Sequence, residues 1–179
     1  MKGRLRWDGR DGPRGGKMVL RGIFLVLTVI TTGLIAGLYY AYSVSVMPGF
    51  KRADDHTIVD GMQGINIAII NPWFFLSFLG SVILGAVSIF LNLGTPVLVW
   101  VIVGVGLNIV QFVVTMAINV PLNNRLEAAG RVDVVKDLAR TRREFEAVWT
   151  RWNLVRTLLC TGGFAMLCWG LVVFGQTAS

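Results

Sequence analysis

Three stretches of the chain carry no charged side chain at all: 22–50, 61–124 and 157–179. A helix needs about 20 apolar residues, each rising about 1.5 Å, to cross the hydrocarbon core of a bilayer. The middle stretch has room for two crossings and a turn, and each of the others for one. Four helices are therefore expected, at 22–47, 66–90, 96–119 and 153–174. The turn between the second and third is Asn92-Leu93-Gly94-Thr95-Pro96, where Gly and Pro punctuate the helices. Hydrophobic residues make up 54% of the 179 and charged ones 15%, against about 25% charged in an ordinary soluble domain. A solvated globule would need more surface charge than this. The apolar runs are continuous and do not alternate, which argues against a closed β-barrel. The expected class is all-α, an integral membrane four-helix up-down bundle.

Net charge is +7. No basic patch is interleaved with aromatics, so nucleic acid is not an expected partner. The positive residues flank apolar segments, where they set topology and touch lipid headgroups. A Gly- and Arg-rich leader at 1–17 is expected to be disordered, with Met18 as an alternative start, ahead of one transmembrane domain at 18–179. Four spans put the leader, the 92–95 turn and the C-terminus on one side of the membrane. The leader holds Lys2, Arg4, Arg6, Arg10, Arg14 and Lys17, with Arg21 just beyond it. Opposite them stand Lys51, Arg52, Arg125, Arg131, Lys136, Arg140, Arg142, Arg143, Arg151 and Arg156. The excess on the second side favours cytoplasmic large loops, in a bacterial inner membrane.

Both large connections have structure of their own. Pro48-Gly49 should turn the chain, and Asp54 and Asp55 should cap and open a short helix. Asn71-Pro72 should break or kink the chain near the second span. Within 131–152, Val132, Val135, Leu138, Phe145, Val148, Trp149 and Trp152 follow helical spacing. That segment is expected to lie along the interface, or to extend the fourth span outward as one long helix.

Polar residues inside the spans are not scattered. Asn108, Gln111, Thr115 and Asn119 share one helix face, and Asn123 continues it. Up-down topology brings the end of span one, the start of two, the end of three and the start of four to one membrane face. Tyr39, Tyr42, Gln63, Asn66, Asn71, Thr115, Asn119, Asn123, Trp149, Trp152, Asn153 and Arg156 converge there. One reading is interhelical hydrogen bonding with interfacial aromatic anchors. The other is a polar-mouthed pocket for a hydrophobic small molecule, because an arginine within a turn of a span needs a partner or a cavity. Gly33 with Gly37, and Ser81 with Gly85, are small-xxx-small pairs that let helices approach. Oligomeric state does not follow from them.

Several chemistries lack their residues. The single histidine, His56, cannot build a three-ligand metal site, and no metal is expected. Its imidazole would suit a general base near neutrality. Cys160 and Cys168 read as packed thiols in an apolar helix. No phosphate loop, dinucleotide fingerprint or Ser-His-Asp order is present, and no cofactor is predicted.

The motifs Ser45-Val46-Met47-Pro48-Gly49, Met62-Gln63-Gly64-Ile65-Asn66, Asn71-Pro72, Asn119-Val120-Pro121-Leu122-Asn123 and Trp149-Thr150-Arg151-Trp152-Asn153-Leu154-Val155-Arg156-Thr157 occur in that order. Together they resemble the anthrone oxygenase-like family of small four-helix membrane proteins. The likeness spans residues 20–175 and leaves the leader outside. It implies oxidation of an anthrone to an anthraquinone with molecular oxygen. An acidic anthrone C–H gives an electron-rich carbanion that can react with oxygen without a metal. Under that reading Arg156 and the amides hold the phenolate oxygens, and Tyr39, Tyr42, Trp149 and Trp152 line a planar slot. His56, Asp54 and Asp55 are the candidates for the base. The competing class is a non-catalytic membrane subunit or a lipid- or quinone-binding protein.

Overall fold

The computed structural model describes residues 13–178, and all regular structure among them is helical. The first helix, α1 (Pro13–Ala41), passes through a π turn at Tyr42–Val46 into the short α2 (Met47–Phe50). Then come α3 (Asp55–Ala68), α4 (Pro72–Leu91) and α5 (Leu98–Val114). A second π turn at Thr115–Asn119 leads into α6 (Val120–Ala128), and a short 3-10 turn at Val132–Val134 precedes α7 (Leu138–Ala178). Four of these helical stretches are long and apolar enough to cross a membrane: Gly15–Phe50, Pro72–Leu91, Leu98–Ala128 and Leu138–Thr177.

Local chemistry sets most of the boundaries. Asp54 caps α3 by accepting from the Thr57 amide at 2.8 Å, and this bond holds its carboxyl below the usual carboxylate range. Asn71 caps α4 by accepting from the Phe74 amide at 3.0 Å. Its extended backbone (φ −140°, ψ 160°) is what a following proline demands, and Pro72 then opens the helix. Gly94, at φ +73°, turns the chain between α4 and α5 where a side chain would be strained.

Three boundaries differ from expectation. The second span starts at Pro72 and not near residue 66, because α3 is a separate helix ended by Asn71-Pro72. The fourth span starts at Leu138, so 138–152 takes the extended-helix form. Pairs one turn apart, Arg140 with Glu144 at 2.7 Å and Arg142 with Glu146 at 2.6 Å, support that outer stretch. Helix α1 already includes residues 13–17, inside the leader expected to be disordered. Residues 1–12 of the leader lie outside the described residues.

Polar side chains join neighbouring helices. Arg21 at the start of α1 donates through Nε and Nη2 to Asn92 Oδ1 beyond the end of α4, at 3.3 and 3.1 Å. Thr28 shares a hydrogen bond with Ser88 at 2.8 Å, and Asn108 Nδ2 donates to Ser81 Oγ at 2.9 Å. One end of the bundle is filled by Leu25, Val97, Val101, Val105 and Leu167. The other is filled by Met47, Ile58, Val59, Met62, Leu126, Phe145 and Trp149. The outward faces are apolar as well: Leu34, Ile83, Val99 and Leu158 are each more than half exposed. Water would not tolerate so much contiguous hydrocarbon, whereas lipid tails do. The protein is an integral membrane protein.

Close approach occurs where side chains vanish. A Cβ on Gly163 would sit 2.8 Å from the Gly104 carbonyl oxygen, so the backbones of α5 and α7 touch there. Gly33 admits the Phe164 ring, and Gly85 admits Val105. Gly37, the other half of one expected pair, faces open space. Cys160 and Cys168 are both free thiols. We predict that Gly163→Ala forces α5 from α7 at a cost of about 1–3 kcal/mol. It should lower the thermal unfolding midpoint in detergent, while Gly37→Ala leaves it unchanged or raises it. Equal midpoints for the Gly163 variant and the parent would contradict this packing.

Candidate functional site

Proline shapes the wall of the site. Its ring clashes with the carbonyl four residues back and it has no amide hydrogen to donate. Pro48 and Pro121 each stand two residues beyond a π turn, so the carbonyls they would crowd belong to that turn. The wider turns are closed by bonds from Met47 N to Tyr42 O and from Val120 N to Thr115 O. Turns of this kind, an extra residue in the helix, are frequent at functional sites. Here Tyr42, Thr115 and Asn119 all lie on them and all face one cavity.

That cavity has a volume of about 370 Å³. Leu38, Tyr39 and Tyr42 of the first helix form one side. Met62, Ile65, Asn66 and Ile67 of α3, with Ile69 and Ile70 after it, form the next. Phe74, Phe75 and Phe78 come from α4, and Trp149 and Arg156 from α7. The wall is completed by Thr115, Met116, Asn119, Val120, Asn123, Asn124 and Glu127. Phe74 stacks on Phe78 at 5.1 Å between centroids, and Phe78 on Phe112 at 4.7 Å, giving a flat aromatic side. A largely apolar lining with a few converging polar groups is the usual form of a small-molecule site.

Arg156 is the cation in this lining, and it is 5% exposed. Its Nη2 donates to Asn153 Oδ1 at 2.8 Å and its Nη1 to Thr115 Oγ1 at 3.5 Å. The guanidinium carbon lies 4.3 Å from the Tyr39 ring centroid and 5.3 Å from that of Trp149. Among the described residues no carboxylate forms an ion pair with it. Cation–π contacts return about 0.5–2 kcal/mol each, less than the several kcal/mol that burying an ion costs. Asn153 is fully buried and rigidly held, donating to the Tyr39 carbonyl at 3.1 Å and to Ser43 Oγ at 2.9 Å. Behind Thr115 a buried file runs from Gln111 Nε2 to Asn108 Oδ1 and from Asn108 Nδ2 to Ser81, each bond 2.9 Å. Trp149 Nε1 donates to Asn123 Oδ1 at 2.8 Å. Three buried atoms on lining residues find no partner among the described residues: Arg156 Nε, Asn66 Nδ2 and Asn119 Oδ1.

A family model described as anthrone oxygenase matches residues 73–166. The chain belongs to the anthrone oxygenase family. The matched stretch supplies the Phe74–Phe78 wall, Thr115, Asn119, Trp149 and Arg156, while Tyr39, Tyr42 and Asn66 lie before it. No curated protein and no solved structure matches the chain.

For this family member, the expected site residues divide into three groups. Tyr39, Tyr42, Asn66, Thr115, Asn119, Asn123, Trp149 and Arg156 line the cavity together. Asn153 stands behind Arg156, and Trp152 is half-buried outside the lining. Gln63 instead donates to the Leu126 and Gly130 carbonyls at 2.9 and 3.0 Å, tying α3 to the end of α6, and Asn71 is the α4 cap.

The expected bases are elsewhere. Asp54 is occupied as a helix cap, and Asp55 pairs with Arg142 at 3.0 Å. His56 faces Asp133 at 3.7 Å with both side chains more than half exposed. None of these three lines the cavity, because the start of α3 is clamped to α7 and its far end forms the wall. The carboxylate in the lining is Glu127, which sequence reading passed over. It sits one turn beyond Asn123 on the same helix, a spacing that could have drawn notice. The Phe74–Phe78 pair, also one turn apart, was likewise missed.

Proposed function

We propose that the protein is a membrane-embedded oxygenase, an up-down four-helix bundle that oxidises a planar aromatic ketone of the anthrone type with molecular oxygen. The observation that carries this reading is Arg156, buried at an apolar cavity with no carboxylate partner and an unfilled Nε. A site kept in that state is complementary to an oxyanion that arrives with the substrate.

The chemistry follows from the substrate. A base removes one C–H proton of the anthrone methylene, and the electron pair delocalises onto the carbonyl oxygen. Arg156 holds that oxygen and thereby favours the anion. The carbanion adds to oxygen, a C–O bond forms, and a proton on the distal oxygen completes a hydroperoxide. Loss of the second methylene proton then breaks the O–O bond. Hydroxide leaves and takes a proton, so one anthrone and one oxygen give one anthraquinone and one water. Tyr42, Trp149 and the Phe74–Phe78 pair sandwich the planar body. Glu127 is assigned as the base because it is the lining carboxylate, reaching the proton directly or through one water.

A second reading is a non-catalytic binder of a lipid or quinone. The exposed isoleucines that also line the cavity, Ile67 at 67% and Ile70 at 70%, favour a ligand arriving from the bilayer under either reading. Oxygen uptake by detergent-purified protein supplied with anthrone separates the two. The oxygenase reading predicts one oxygen consumed per anthrone. Arg156→Leu should cut the rate roughly 100-fold or more, the scale of losing an oxyanion donor, while the protein still unfolds cooperatively. Glu127→Gln should also slow the rate without weakening binding. No uptake by the parent, with one lipid species co-purifying, would leave the binder reading. Full activity in the Arg156 variant would remove the oxyanion role.

The bilayer is proposed to be a bacterial inner membrane with the 51–71 and 129–137 connections in the cytoplasm, on the side carrying more basic residues. A His56→Cys variant should then react with an impermeant maleimide in inverted vesicles and not in spheroplasts. Labelling in spheroplasts would reverse the orientation.

A further inference from the structure

The start of α1 carries a positive charge held in a fixed direction. Arg21 donates through Nε and Nη2 to Asn92 Oδ1, so one edge of its guanidinium is committed to a neutral amide. Asn92 is fully buried and donates in turn to the Ser88 carbonyl at 2.8 Å, which fixes the oxygen that Arg21 meets. The Nη1 end of the fork is left uncommitted among the described residues. Lys17 stands one turn earlier on the same helix and is exposed. Among the described residues neither cation forms an ion pair. The described carboxylates all fall between Asp54 and Glu146. On α7, Glu146 precedes Phe174 by 28 residues, about 42 Å at 1.5 Å per residue. Phe174 is the residue that Arg21 reaches, with the guanidinium carbon 5.8 Å from its ring centroid. In the sequence, residues 1–21 hold seven Lys and Arg against Asp8 and Asp11. This end of the chain therefore keeps an excess of positive charge.

An apolar groove of about 410 Å³ runs beside that cation. Met18, Val19, Ile23, Val26 and Leu27 of α1 line it, with Phe174 of α7. The stripe from Met18 to Leu27 covers about 14 Å of helix. A Cβ on Gly22 would sit 3.2 Å from the Phe174 ring, so glycine there lets the ring close the groove against α1. Phe174 thus borders both the guanidinium and the groove. A soluble anion uses the charge and leaves the groove empty. A neutral hydrocarbon uses the groove and leaves the charge unmet. An amphiphile with an anionic head and an acyl chain uses both.

We propose that this groove is a binding site for an anionic phospholipid of the bilayer, with the phosphate at Arg21 and Lys17 and one acyl chain along the α1 stripe. The planar guanidinium fork matches phosphate oxygens, and Lys17 adds a point charge one turn away. Charge complementarity selects the head, and the apolar wall takes the tail. The site shares no lining residue with the cavity at Arg156, and it stands whether or not the protein turns over a substrate there. A lipid so placed joins α1 to α7 at the end where Arg21 already joins α1 to Asn92.

Native mass spectrometry of the full-length protein in detergent tests this. The micelles carry equal amounts of phosphatidylglycerol and phosphatidylcholine with identical chains, and the lipid retained on the protein is counted. The parent should keep phosphatidylglycerol about 10-fold or more over phosphatidylcholine, given two basic residues at the head. Lys17→Gln and Arg21→Gln should each cut that preference about fivefold, the scale of one basic residue at an anionic surface. Lys17 is exposed, so its variant keeps the test valid where loss of the Asn92 bond unfolds the Arg21 variant. Ile23→Trp should fill the groove and lower phosphatidylglycerol retention with both cations intact. Equal retention of the two lipids by the parent would overturn the proposal. So would a preference unchanged in both charge variants, which would place the lipid elsewhere. Displacement of the lipid by soluble glycerol phosphate would mark an anion site in which the groove has no part, and would overturn it too. A second copy of the chain retained in place of lipid would do the same.

Discussion

Burying one guanidinium in a membrane bundle is the constraint around which this structure is arranged. Arg156 lies among apolar helices, and among the described residues no carboxylate neutralises it. In such a setting a positive charge persists only if fixed dipoles and aromatic faces surround it. Asn153 turns its carbonyl to Nη2, and Tyr39 and Trp149 present ring faces. The remaining demand falls on whatever enters the cavity.

The supporting parts serve that centre in layers. Asn153 is pinned by the Tyr39 carbonyl and by Ser43, and Ser43 shares a 2.9 Å bond with Thr157, so α1 and α7 are locked at the height of the charge. Both π turns contribute to the cavity wall, each ahead of a proline. Elsewhere, glycines let α5 and α7 touch. Arg142 fastens the other end, bonding Asp55 at 3.0 Å, Glu146 at 2.6 Å and the Ala53 carbonyl at 2.9 Å, and so clamps α3 over the site.

The spans are legible in the sequence because lipid excludes charge, and the polar face is legible because its residues recur at helical spacing. Tyr39, Thr115, Asn119 and Arg156 line one cavity. The start of the second span is hidden, since Ile65, Ile67, Ile69 and Ile70 continue the apolar run across the break. What marks it is Asn71-Pro72. Asp54, Asp55 and His56 fall outside the lining for a different reason. Asp54, Asp55 and His56 lie on the correct side, yet the partner that occupies Asp55 is 87 residues away, and no local pattern reveals it. Glu127 sits among charged residues that read as a solvated helix end. The π turns escape any 3.6-residue periodicity, although Pro48 and Pro121 are their visible trace.

The central claim is that the cavity stabilises an oxyanion on an aromatic ligand. The most direct measurement is the absorption spectrum of anthrone titrated with the purified protein under argon. Deprotonated anthrone absorbs at longer wavelength than the ketone, and without oxygen it accumulates. This band should appear on binding, at a pH where free anthrone stays neutral, and disappear in Arg156→Leu. Saturable binding with the spectrum of the neutral ketone throughout would contradict it.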